Sequence, residues 1–352
     1  MTKIVVAPDS FKGTLSSIEA GRAIGNGIHA VLPDAELLLS PLADGGEGTA
    51  DIFTAFLDFN QCLIESAELV GLYQQEMSCK PVKERGTHAV GRAILCALDE
   101  GKRDIIIALG GSATNDAGLG MLMGLGMEAW DDDGSPVEPT LAGLLKLDRI
   151  DTSKLDRRLS ECRFTILSDV MSPLCGKNGA TAVYGPQKGI EFPDIDRIDD
   201  AICNFSSCCG ENFGIDAFNS AGAGAAGGLG YALMLLGGEI VSGARYIMEA
   251  TGFRDQIKGA DWVVTGEGCS DLQTLNGKLP MVVADEANKA GVLVALLSGS
   301  IDADAREYLS ERFDMAISVT PDGLSSDEAK LQAEALLTQA AAAFAERVKR
   351  GD

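Results

Sequence analysis

Histidine is nearly missing from this chain: His29 and His88 are the only two in 352 residues. A Ser-His-Asp triad or a histidine-based zinc centre cannot be assembled convincingly from that pair, because neither has a supporting spacing to a nucleophile or a second ligand. Nine cysteines are present, but without a CxxC pair or other metal-ligand spacing, so they read as reduced thiols. Basic residues are scarce beside acidic ones, 29 against 52, and the formal charge of −23 repels phosphodiester backbones and anionic lipid. Neither nucleic acid nor membrane is therefore expected as a partner. No apolar run approaches the roughly 20 residues that span a bilayer, and the N-terminus runs straight into IVVA and then the polar PDSFKGT, unlike a signal peptide. The expected compartment is the cytoplasm. The G-x-x-x-x-G-K-[ST] phosphate loop is absent too, and the literal G-x-G-x-x-G at 222–227 lacks the preceding strand that a dinucleotide site needs.

What is present is a repeated pattern. Short apolar, largely β-branched runs (KIVVAPD, ELLLSPLAD, DIIIALGG, RFTILSD, DWVVTGEG) each discharge into a loop of glycines and acids, with helical patterns between them. Ser16 and Glu19 form a capping box ahead of the stripe Ala20, Ile24, Ile28 and Val31, and SSDE at 325–328 caps a helix near the end. His29, beside the first stripe, reads as a packed residue. Alternation of this kind predicts an α/β protein with mostly parallel sheets and helices on both faces. The length suits two domains, one inserted into the other. Residues 1–60 and 279–352 are expected to form a discontinuous Rossmann-like domain, with 61–278 as the insertion.

In such folds ligands bind beyond the carboxyl ends of strands, and that is where the chemistry collects. Residues 263–278 carry Glu267, Asp271, Gln273 and Lys278; Asp9, Asp44 and Asp169 follow or lie near other strand ends. Carboxylates there can take a proton from an attacking hydroxyl or hold Mg²⁺ through oxygen, although each alone is equally readable as an N-cap. Lys12 and Lys188 lie in loops and read singly as solvated charges as easily as phosphate ligands. The loop with Gly110, Gly111, Ser112, Asn115 and Asp116, and the run with Gly222, Gly224, Gly227 and Gly228, can present converging amides to phosphate, or serve as a turn and as close helix packing. Glycine loops, lysines and acids at strand ends suit phosphoryl transfer, which needs positioning, positive charge and Mg²⁺ rather than a nucleophilic side chain.

Seven segments in order, APDSFKGTLS (7–16), PLADGGEGT (41–49), GGSATNDAG (110–118), SDVMSPLCGKNGA (168–180), YGPQKG (184–189), GAGAAGGLG (222–230) and TGEGCSDLQTLNGKLP (265–280), give the chain its identity: it resembles the bacterial glycerate kinase family. The resemblance implies ATP and Mg²⁺ as cofactors, glycerate or a related hydroxy acid as the small-molecule partner, 2-phosphoglycerate as product, and a homodimer as the candidate assembly. It assigns catalysis to Lys12, Asp44, Asp169 and Asp271, and substrate binding to Asp9, Ser10, Gly45, Gly46, Lys188, Gln273 and Lys278, with Lys188 and Lys278 toward the transferred phosphoryl group. The two glycine loops fall to the nucleotide, and Asp169, Glu267 and Asp271 to the metal. The chain departs from the family pattern at Cys269, where arginine is usual, at Ser172 for asparagine, at Ala117 for glycine and in the segment 87–92, and it lacks the strand-rich stretch the family carries ahead of residues 64–72. Those departures leave two alternatives beside the first reading: a kinase for another small hydroxy or sugar acid, and a catalytically impaired relative that only binds ligand.

Overall fold

The computed structural model describes residues 1–321 and 323–351. In chain order its strands are β1 (Lys3–Val6), β2 (Glu36–Leu39), β3 (Gln61–Glu65), β4 (Asp104–Ala108), β5 (Glu128–Trp130), β6 (Arg149–Asp151), β7 (Arg163–Leu167), β8 (Glu239–Val241), β9 (Trp262–Ser270), β10 (Leu293–Ile301) and β11 (Met315–Ser318). The longer helices are α1 (Ser17–Val31), α2 (His88–Asp99), α3 (Ile195–Phe213), α4 (Ala225–Leu235), α5 (Leu279–Ala290) and α6 (Ala333–Arg350). The chain divides into two compact units. One comprises residues 1–44, 51–56 and 244 onward; the other comprises 45–50 and 57–243.

Unit one is built on a wholly parallel sheet in the order β11-β10-β9-β1-β2. Its central strands each carry a buried apolar run, at 4–6, 262–264 and 294–297, because both faces are covered. Ile4, Val6, Val264, Ala295 and Leu297 share one core with Ile24 and Ile28 of α1 and with Leu337 and Phe344 of α6. The alternate residues Val5, Val263, Val294 and Leu296 are equally buried, and α5 packs along β9 and β10. Helices α1 and α6 touch so closely that a Cβ on Gly27 would lie 2.2 Å from the Thr338 carbonyl. The Ser16–Glu19 capping box forms as expected. SSDE also caps a helix, but that helix ends at Leu331, with Gln332 at φ −113° separating it from α6. His29 is exposed, contrary to the packed position expected for it, because the buried stripe of α1 falls on its neighbours.

Unit two carries a parallel sheet in the order β3-β4-β7-β8, beside the small antiparallel pair β5–β6. Ile105, Ile107, Phe164 and Ile166 form its centre, with Val90 and Ile94 of α2, Ile202 and Phe205 of α3, and Leu229 and Leu233 of α4 packed around them. The boundary expected at 278 lies instead at 243. Strand β9 pairs with β1 on one side and β10 on the other, so 244–278 belong to unit one. The apolar run at 262–264 has the composition of any buried parallel strand, and nothing in it says which sheet it joins.

Candidate active site

In unit one, the ends of β1 and β9 hold a nest of charge. The Asp9 amide donates to the Gly266 carbonyl (2.9 Å), which fixes the loop after β1 against β9. Asp9 is only 4% exposed and accepts from the Ser10 amide at 2.7 Å. Burial, then the neighbouring Asp44 carboxylate, pushes the Asp9 pKa well above the usual range, against the pull of Lys12. Lys12 Nζ stands 3.7 Å from Asp44 Oδ2. Ser10 Oγ is buried with no hydrogen-bond partner among the described residues. Further along β9, the buried Glu267 accepts from Ser270 Oγ and Thr274 Oγ1, both at 2.8 Å, and its Oε2 lies 4.0 Å from Lys278 Nζ. Burial raises the Glu267 pKa, with Lys278 working in the other direction. Asp271 is half-buried; burial opposes its ionisation, but Lys278 at 3.3 Å and the Thr274 and Gln273 amides outweigh that and hold its pKa below the ordinary value. Gln273 enters through its backbone amide.

In unit two, the loop after β4 is built around two buried ionisable groups. Asp116, fully buried, accepts from the Thr87 amide (2.8 Å), Thr87 Oγ1 (2.9 Å) and the Gly120 amide (3.1 Å). Its pKa is raised by burial despite those donors. Lys188 is 4% exposed, so the solvated alternative fails for it. Its ammonium donates to the Thr114 carbonyl (2.7 Å) and Ser112 Oγ (3.2 Å). Burial, with Asp116 opposing and Arg85 reinforcing, lowers the Lys188 pKa to about 7. Asn115 Nδ2 donates to Thr181 Oγ1 (2.9 Å), while Asn115 Oδ1 and Thr114 Oγ1 are buried without a partner among the described residues. Gly227 and Gly228 seal this loop from below. Both have positive φ, and a Cβ on Gly227 would sit 2.1 Å from the Thr114 carbonyl. Gly222 and Gly224 are packed elsewhere: a Cβ would meet Ile240 Cδ1 at the first and the Pro173 carbonyl at the second, at 2.3 Å in each case. The Gly110 amide donates to the Gly45 carbonyl (2.9 Å) and Gly110 abuts Gly46, so the backbones of the loops carrying Gly45–Gly46 and Gly110–Gly111 touch. Asp169 follows β7, half-buried.

Against known proteins, the model of the glycerate kinase family matches residues 4–62 and 53–349. A glycerate kinase of Halalkalibacterium halodurans is 36% identical over 97% of both chains, and a glycerate 2-kinase of Escherichia coli is 35% identical over 93% of both. The chain belongs to the glycerate kinase family. A crystal structure described as glycerate kinase 2, from Salmonella typhimurium LT2, matches with a TM-score of 0.79 at 35% identity over 99% of both chains.

Membership gives meaning to residues that sequence reasoning passed over. Glu65, which ends β3, accepts from the Gly48 and Ala50 amides (both 2.8 Å) and so anchors the glycine loop at 45–48. The signal was there: β3 ends on an acid, as the runs before Asp9 and Asp169 do. Arg85 donates to the Lys188 carbonyl (3.0 Å), and Thr87 holds Asp116; both fall in a stretch without clear periodicity. The family departures are also placed. Cys269 is exposed on β9. Ala117 adopts φ +53°, a conformation that glycine takes more easily, while Ser172 supplies the carbonyl that accepts from the Gly224 amide (3.0 Å).

Proposed function

We propose that this protein transfers the γ-phosphoryl group of ATP to the 2-hydroxyl of glycerate. The observation that carries the reading is the loop at 110–116: the buried Lys188 amine, bonded to the Thr114 carbonyl and Ser112 Oγ, beside a buried Thr114 hydroxyl that no described protein group satisfies. Groups left in that condition are costly unless a ligand completes them. A polyanionic phosphate tail fits the cation, the amides and the Thr114 hydroxyl together. Gly110, Gly111, Ser112, Asn115, Asp116, Gly227 and Gly228 form this nucleotide cradle, and Gly222 and Gly224 set the backbone that leads into it.

In unit one, Lys12 and Ser10 bind the acceptor carboxylate, and the Asp9–Asp44 pair takes the hydroxyl proton as the acceptor oxygen attacks phosphorus and the bond to ADP breaks. Burial and the neighbouring Asp44 charge raise the proton affinity of Asp9, which is the property a general base requires. Glu267 and Asp271 in unit one, and Asp169 in unit two, offer the hard oxygen donors that Mg²⁺ prefers, and the hydroxyls of Ser270 and Thr274 already orient Glu267. When bound, Mg²⁺ neutralises charge on the phosphate oxygens. Lys278 shares the anionic neighbourhood of Glu267 and Asp271 and supplies a second cation. A coupled assay of ADP release tests the reading: turnover with glycerate, ATP and Mg²⁺ is expected, and its absence overturns it.

An acceptor other than glycerate is favoured by one observation, the exposed Cys269 where an arginine belongs to the family pattern. Side-by-side kcat/KM values for glycerate and four-carbon hydroxy acids decide between the two.

A further inference from the structure

We propose that Cys175, Asp199 and Cys203 form a binding site for a thiophilic divalent cation of the zinc class, clamping the loop after β7 to helix α3. Their ligand atoms all lie within 4.8 Å of one another, and they are the only such trio of His, Cys or carboxylate groups among the described residues. A tetrahedral zinc ion holds its sulfur and oxygen ligands about 3.4–3.8 Å apart, by the usual bond lengths. Small side-chain rotations therefore close the trio on a metal. Asp199 and Cys203 are four residues apart on α3, one turn along the same face. Cys175 reaches them from the loop that begins at Asp169; its thiol donates to the Asp199 carbonyl at 3.7 Å.

Two further details point to a ligand rather than to chance proximity. The Gly176 amide donates to Asp199 Oδ2 (2.8 Å), and Asp199 Oδ1 is buried with no partner among the described residues. One carboxylate oxygen is thus oriented by the backbone, as outer contacts orient metal ligands elsewhere, while the other is left to bind. The donor set of two sulfurs and one oxygen selects zinc-like ions over Mg²⁺, which prefers oxygen throughout. A water molecule completes four-coordination. Each thiol gives up its proton to solvent as its sulfur binds the metal, so two protons are released per ion.

The experiment is a titration of the fully reduced, metal-free full-length protein with Co²⁺ alone, followed by absorbance and by proton release. One equivalent is expected to produce a near-ultraviolet thiolate-to-cobalt band and the visible bands of a tetrahedral ion, to release about two protons, and to be displaced by Zn²⁺. Cys203→Ser, at a half-buried position that tolerates the change, should abolish the charge-transfer band, and Asp199→Asn should weaken binding by about tenfold or more. Circular dichroism establishes that both variants are folded. Absence of the band in the reduced wild type, or a band that survives Cys203→Ser unchanged, overturns the site. So does recovery of Cys175 and Cys203 as a disulfide from protein that, once reduced, fails to bind Co²⁺.

Discussion

Lys188 carries the clearest consequence of burial at a single residue. Its pKa of about 7 means that the free enzyme loses this positive charge as pH rises past neutrality. If the charge binds phosphate, kcat/KM for ATP falls about tenfold per unit above that point, and a pH–rate profile of Lys188→Arg lacks the limb because a guanidinium stays charged. Stability moves the other way. The unfolded chain holds the proton up to the ordinary lysine value of 10.5, the folded one only to about 7, so the unfolded state binds more protons in between. Unfolding free energy from this group therefore rises with pH across that window, measurable by urea titrations at several pH values. Asp9 shows the opposite linkage: its raised folded pKa contributes stability below the unfolded value of about 4, and that contribution is lost as pH rises through the folded value. Asp9→Asn replaces a buried carboxyl whose ionisation burial and Asp44 oppose, so it should stabilise the protein by about 1–2 kcal/mol in denaturant melts while reducing turnover at least a hundredfold.

Among the elements, the strands and the first helix are legible in the sequence because burial on both faces imposes β-branched runs, and because Ser16 and Glu19 spell out their own capping box. Partnership between strands is not. The sequence order puts β9 with the inserted domain, yet it pairs with β1, because a parallel strand's neighbours are set by crossovers that can run hundreds of residues long. The glycine run at 222–230 is legible as special, but its division of labour lies in the backbone: three consecutive left-handed residues, Ala226 to Gly228, precede the regular part of α4. That kink makes two opposite predictions. Gly227→Ala drives a methyl into the Thr114 carbonyl and should cost about 2–3 kcal/mol while disturbing the loop proposed to hold phosphate, so KM for ATP is expected to rise as well. Ala226→Gly relieves a non-glycine residue at φ +52° and should stabilise by about 1 kcal/mol. Thermal melts of the two variants against wild type separate the effects by sign.

For the whole molecule, a formal charge of −23 is a poor starting point for binding two anionic substrates. Long-range attraction cannot supply the affinity, and the proposed function assigns it to local cations: Lys188 in unit two, and Lys12 and Lys278 among the carboxylates of unit one. The acids at strand ends are readable as a group because parallel α/β sheets present their loops at one edge. Which lysine is buried is not readable, since GPQKG looks like a surface turn until Arg85 and the 110–116 loop close over it. The most direct test is phosphorus NMR of the products formed from glycerate, ATP and Mg²⁺. ADP together with the phosphomonoester resonance of 2-phosphoglycerate is expected; a 3-phosphoglycerate signal, or ATP left intact, contradicts the proposed transfer.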